Sequence, residues 1–124
     1  MKNIILVAVG GSVGSVLRYM TSLFVAKYYS HAFPLATFIT NLLGCFIIGI
    51  AVGFFSKLQP NSESLKLLLV TGFCGGYTTF SAFGYENVML FQNNGSALAF
   101  AYIAASIVGG ILSVCLGLFL MAAR

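Results

Sequence analysis

The chain has 124 residues, 60% of them apolar and 6% charged, with six Lys and Arg against two Asp and Glu and a formal net charge of +4. A soluble domain carries about 25% charged residues, so this composition excludes a water-soluble globular enzyme. A mean hydropathy of +1.02 with 14 Gly, 2 Pro and no Trp points to an all-α membrane protein packed through small residues.

About 20 apolar residues cross a bilayer, and the apolar runs predict one transmembrane domain of four spans, at about residues 3–26, 33–55, 65–91 and 96–122. Four helices make a thin bundle, so a homo-oligomer with its solute path between or beside subunits is expected. The first span follows Lys2 and closes on Lys27, Tyr28 and Tyr29, an interfacial anchor. Arg18 interrupts it and no small-x-small cleavage site follows, so it reads as a span and not as a signal peptide. Gly10 with Gly14, and Gly11 with Ser15, are small-xxx-small pairs that let another helix come close. A dinucleotide-binding reading of these glycines fails, because no strand precedes them. Arg18 either snorkels to the interface or faces protein and water and attracts an anion.

The second span opens after His31, with Pro34 near the first turn, where a missing N–H is harmless. Asn41 lies about a third of the way along it, and lipid supplies its side-chain amide with no partner. The amide is either an interhelical hydrogen bond or a donor lining a polar path. After Ser56 and Lys57 a polar linker runs from Leu58 to Glu63.

The third span places Gly72, Gly75 and Gly76 before Thr78, Thr79 and Ser81 in the middle of an apolar stretch. Each adjacent glycine is about 1 kcal/mol worse than Ala in a helix, which predicts a break from Gly75 to Thr79. Unwound backbone at that depth must be buried in protein or line a cavity, and its carbonyls can hold a cation. Phe80 and Phe83 share a helix face, adjoin the break and alternate with hydroxyls, so their positive ring edges can meet an anion. Glu86, one turn on, is expected at a water-filled mouth. After Gln92-Asn93-Asn94-Gly95, the fourth span carries Tyr102, Ser106 and Ser113 on one stripe, with Gly110 at the missing step. That stripe is either a polar track or a helix-packing seam.

Lys2, Lys57, Lys66 and Arg124 fall on one side and Lys27 on the other. The bias leans toward cytoplasmic termini, and the small total tolerates both orientations. With one His and two carboxylates, no metal cluster, acid/base pair or nucleophilic triad is expected and the chain is not read as an enzyme. Cys45, Cys74 and Cys115 stand in three different spans without a C-x-x-C spacing and read as small apolar residues.

Three segments together resemble the signatures of the Fluc (CrcB) fluoride channels, in the family's order and across essentially the whole chain. They are Gly10-Gly11-x-x-Gly14-x-x-x-Arg18-Tyr19, Thr40-Asn41-x-x-Gly44-x-x-x-x-Gly49 and Gly72-x-x-Gly75-Gly76-x-Thr78-Thr79-Phe80-Ser81-x-Phe83. The resemblance implies an antiparallel, dual-topology homodimer of four-helix subunits in a bacterial inner membrane, with two fluoride pathways and a central structural sodium ion. It implies passive fluoride export that protects the cell, with fluoride, sodium, the bilayer and a second copy as partners and no nucleic acid. Asn41 would be a pore-lining donor, Phe80 and Phe83 would turn ring edges to fluoride, and Thr79 and Ser81 would add hydroxyls. Tyr102 and Ser106 match the family's polar track, where Gly110 replaces a hydroxyl often found one step on. Arg18 would add positive potential near a vestibule and Glu86 would lie near a pore end. The backbone carbonyls of Gly75 and Thr78 would hold the sodium ion. A proton-coupled exporter of cationic drugs is similarly short, but needs a carboxylate deep in its first span, where this chain has Arg18. A non-transporting structural subunit would leave the broken third span unexplained.

Overall fold

The computed structural model of the chain describes residues 1–57 and 63–123, all of whose regular structure is helical. The linker at 58–62 and Arg124, on which part of the charge count rests, lie outside the described residues. Helix α1 spans Lys2–Tyr28 and α2 spans Leu35–Lys57. A short α3, Glu63–Lys66, runs into a π-helical stretch, Leu67–Cys74, and then into α4, Gly75–Tyr77. Two extended residues, Thr78 and Thr79, separate α4 from α5, Phe80–Gln92. Helix α6 spans Ser96–Ala122. Four helical segments are long and apolar enough to cross a membrane, the third running from Glu63 to Gln92 through the break.

Local chemistry sets the ends. Pro34 sits just before α2, where its carbonyl accepts from the Phe38 N–H at 3.1 Å and its own missing N–H leaves nothing unpaired. Between α5 and α6, Asn94 takes a left-handed conformation with φ 57°, which a short polar side chain tolerates. The Gly95 N–H then reaches back to the Leu90 carbonyl at 2.8 Å, closing the helix end in a tight turn. Lys57 at the end of α2 donates to the Met121 carbonyl in the last turn of α6, where a cation suits the negative helix end.

Glycine sets the packing. A Cβ on Gly10 or Gly14 of α1 would strike the backbone of Leu68 or Phe73, and one on Gly76 would strike Gly11. On the opposite side, a Cβ on Gly49 of α2 would strike Val114 of α6, and one on Gly117 would strike Phe46. Both contacts pair helices running in the same direction, so successive spans alternate up and down. Much of the surface left over is apolar, including Ile4, Phe24, Val88, Ile111 and Phe119, as lipid contact requires.

The break is narrower than the glycines suggested. Gly75 and Gly76 are helical, and only Thr78 (φ −82°, ψ 160°) and Thr79 (φ −150°, ψ 125°) are extended. The reason is steric. Gly76 is needed for close approach to Gly11, and packing holds the glycine pair in the helix despite its poor propensity.

Candidate functional site

At membrane depth the break exposes backbone groups that lipid cannot satisfy. Side chains from two other helices take them up. Asn41 of α2 accepts from the Thr79 N–H at 2.8 Å and donates Nδ2 to the Thr79 carbonyl at 3.1 Å, an amide pairing that holds one extended residue at two points. Arg18 of α1 donates Nη1 to the Thr78 carbonyl at 3.3 Å. Thr78 turns both its N–H and its hydroxyl back to the Cys74 carbonyl, at 3.0 and 2.9 Å. Thr79 Oγ1 accepts from the Ala82 N–H at 3.3 Å and lies 3.2 Å from Ser81 Oγ, so the same residue that ends the break caps α5. Because the Thr79 N–H goes to Asn41, the Gly75 carbonyl loses the donor a continuous helix would give it.

Asn41 is therefore an interhelical hydrogen bond and a groove-lining residue at once, since Nδ2 carries a second hydrogen. Arg18 is half-buried, with its guanidinium on the Thr78 carbonyl.

Two cavities adjoin the break and a third lies beyond it. A groove of about 440 Å³ brings together Asn41, Thr78, Thr79, Phe80, Phe83 and Ser106, with Gly75 at its edge. Phe80 is 83% exposed there and a Cβ on Gly75 would meet nothing within 4 Å, so the groove is open on one side of the protomer. Ser106 Oγ is buried without a hydrogen-bond partner. Across the break a second cavity, about 540 Å³, holds Arg18, Ser15, Ser22, Thr40, Ser81 and again Thr79. A third, about 500 Å³, lies near the α1–α2 connection and holds Glu86 with His31, Tyr85 and Asn93.

The groove and the third cavity are joined by packed side chains. The Phe83 ring meets Tyr102 edge-on with centroids 5.0 Å apart. Tyr102 is fully buried, and its hydroxyl donates to Glu86 Oε2 at 2.8 Å. Thr37 Oγ1 donates to Glu86 Oε1 at 2.5 Å. Tyr102 thus lines neither cavity but bridges them, and Ser81 sits with Arg18 and apart from Ser106. Among the residues that line the groove are the Asn41 amide, the Thr79 and Ser106 hydroxyls and the Phe80 and Phe83 rings, with no carboxylate among them. The positive end of α5 points at the break, and together with Arg18 it makes the surroundings of Thr79 favourable to a small anion.

Sequence reasoning passed over Thr37 and Asn87. Thr37 lies one turn before Asn41 on the same face, a spacing that was available as a signal. Asn87 is 6% exposed and donates Nδ2 to the Phe83 carbonyl at 2.8 Å, while its Oδ1 is buried without a partner. Its signal was an amide four residues after Phe83 in an apolar stretch.

Residues 5–118 match a family described as CrcB-like protein, camphor resistance (CrcB). The chain belongs to the CrcB family. A protein of Flavobacterium psychrophilum named fluoride-specific ion channel FluC is 48% identical over 120 residues, covering 97% of both chains. Proteins of the same name from Azobacteroides pseudotrichonymphae and Chloroflexus aurantiacus are 45% identical over 120 residues and 43% identical over 117, each covering more than nine-tenths of both chains. This CrcB chain is a multi-pass membrane protein by its four long apolar helices. Among its described residues no three His, Cys, Asp or Glu side chains come together as a metal site.

Proposed function

We propose that the protein is a fluoride-selective channel that lets fluoride leave the cell passively, down its electrochemical gradient, and so protects the cell from fluoride toxicity. The observation that carries this reading is the donor-lined groove at the break, which holds Asn41, Thr79, Phe80, Phe83 and Ser106 and no carboxylate. The names of the relatives support the choice of anion. Fluoride is small and strongly hydrated, so conduction requires donors that replace water without holding the ion too tightly. The free Asn41 hydrogen, the Thr79 and Ser106 hydroxyls and the edges of Phe80 and Phe83 supply such donors in succession. Ser106 Oγ, buried and unpartnered, has a hydroxyl proton to give. Beyond Phe83, the Tyr102–Glu86–Thr37 cluster leads toward the cavity beside His31 and forms the pore end. Arg18 and Ser81, in the second cavity, act as a vestibule that raises the local anion concentration.

The working unit in this reading is an antiparallel, dual-topology homodimer in a bacterial inner membrane. In support, the groove is open along the face that carries exposed Phe80 and Gly75, and a second copy seated there would close it. A structural sodium ion would be held by the carbonyls of Gly75 and Thr78 of both protomers. The Gly75 carbonyl has lost its helical donor to Asn41, and Thr78 retains one acceptor lone pair beside Arg18. Bound there, sodium would supply a fixed positive charge at the two breaks.

The test is fluoride efflux from liposomes loaded with potassium fluoride, with valinomycin carrying the countercharge and chloride as the control. Fast fluoride efflux with no chloride efflux is the expected result. Movement of neither ion, or of both alike, would overturn the reading and turn attention to Glu86 as a proton-coupling carboxylate.

A further inference from the structure

Arg18 is the cation furthest from either end of α1, and it lies half-buried. The chain has two carboxylates, Glu63 and Glu86. Both oxygens of Glu86 are occupied by Thr37 and Tyr102, and Glu63 opens α3, in the half of the third span before the break. The guanidinium is met by a neutral carbonyl, that of Thr78, at 3.3 Å. Among the described residues the guanidinium forms no ion pair, and a partly buried charge is screened much less than an exposed one.

The same carbonyl would belong to the cation cage proposed above. An oxygen has two lone pairs, so a guanidinium N–H and a sodium ion can both reach it, but the two positive charges then lie a few ångströms apart on one acceptor. Gly75, the other carbonyl of the pair, has no such neighbour. We infer that Arg18 and the sodium ion oppose one another through the Thr78 carbonyl, so that Arg18 sets how tightly the break holds its cation. The inference rests on the sodium reading of the break. Its consequence is a coupling: an anion that draws the Arg18 guanidinium into the second cavity, among Ser22 and Ser81, frees Thr78 and strengthens the sodium site, and linkage makes the effect reciprocal.

Thermal unfolding of the purified, detergent-solubilised protein, titrated with sodium chloride against potassium chloride at constant ionic strength, tests this. For wild type we expect stabilisation that saturates with sodium. Arg18→Gln removes the charge, and its half-saturating sodium concentration should fall on the order of tenfold, given the strength of a like-charge interaction in a poorly screened site. Arg18→Lys keeps the charge and should stay near wild type. If Arg18→Gln saturates at the wild-type concentration or above, the inference fails while the sodium reading stands. If Arg18→Lys binds sodium as tightly as Arg18→Gln, charge opposition fails as the cause. If sodium stabilises neither wild type nor variant over potassium, the sodium reading fails and the inference with it.

A measurement on wild type covers the case in which Arg18→Gln does not fold. The chain has two arginines, Arg18 and Arg124. Phenylglyoxal should modify Arg18 faster in sodium than in potassium, with Arg124 as the internal reference read by mass spectrometry. Equal rates at Arg18 in the two salts would overturn the inference.

Discussion

Two close helix contacts run through this protein, and they are built from the same residue to different ends. In the α2–α6 contact, Gly49 and Gly117 bring two continuous helices together, and the backbone ladder of each runs unbroken past the contact. In the contact of α1 with the π-helical stretch and α4, Gly10, Gly14 and Gly76 do the same steric work, yet the chain two residues past Gly76 leaves the helix. The difference is polar. Only the second contact ends where Asn41 and Arg18 offer side-chain partners to the freed backbone. Glycine gives proximity, and the break needs groups that replace the lost ladder.

The largest effect should fall on both contacts alike. Gly49→Val and Gly76→Val each drive a side chain into backbone that cannot yield, and overpacking of this kind costs about 1–3 kcal/mol. Both should lose the monodisperse peak in size-exclusion chromatography. Survival of Gly76→Val as a well-folded protein would show that the α1 contact is looser than its partner. Asn41→Ala should separate the two contacts. It leaves the Thr79 N–H and carbonyl without partners, at about 1–3 kcal/mol for each buried group, while the α2–α6 contact stays intact. Its unfolding temperature should drop and its fluoride efflux should fall much further than stability alone explains.

Tyr102→Phe probes the link between groove and outer cavity. It removes a hydrogen bond to a carboxylate, worth about 1.5–3 kcal/mol, but keeps the ring against Phe83 and Phe33. A lower unfolding temperature with residual fluoride efflux is expected. Unchanged stability would mean that Thr37 alone suffices to hold Glu86.

Hydropathy made the four membrane-length helices legible, and small-residue spacing made the α1 face legible through Gly10 and Gly14. The place of the break was less legible, because propensity points to Gly75 and Gly76 while tertiary contact keeps both helical. What decides it is Asn41, 38 residues away, and no local rule connects those positions. Glu86 shows the same limit: a carboxylate in an apolar stretch was visible, but its two donors come from Thr37 and Tyr102 on other helices. The π-helical stretch from Leu67 to Cys74 carries a plainly apolar sequence with nothing in its residue types to mark the wider turn. Asn41 was legible as an amide that lipid cannot satisfy, Phe80 and Phe83 by their place beside the break, and Ser106 as part of a polar stripe, and their meeting in one groove follows from the break that turns α5.

Ser106 gives the smallest effect on stability and the sharpest test of what the groove is for. Its hydroxyl is buried and bonds to nothing in the protomer, so burying it already costs free energy without return. Ser106→Ala removes that cost and should therefore be no less stable than wild type. If the hydroxyl is there to replace a water on a passing anion, loss of a donor to a charged partner, worth about 1.5–3 kcal/mol, should slow fluoride efflux by roughly ten- to a hundredfold. Unchanged efflux at unchanged stability would make the α6 stripe a packing seam like the glycines of α2 and α6, and the polar contrast between the two contacts would then end at Phe83.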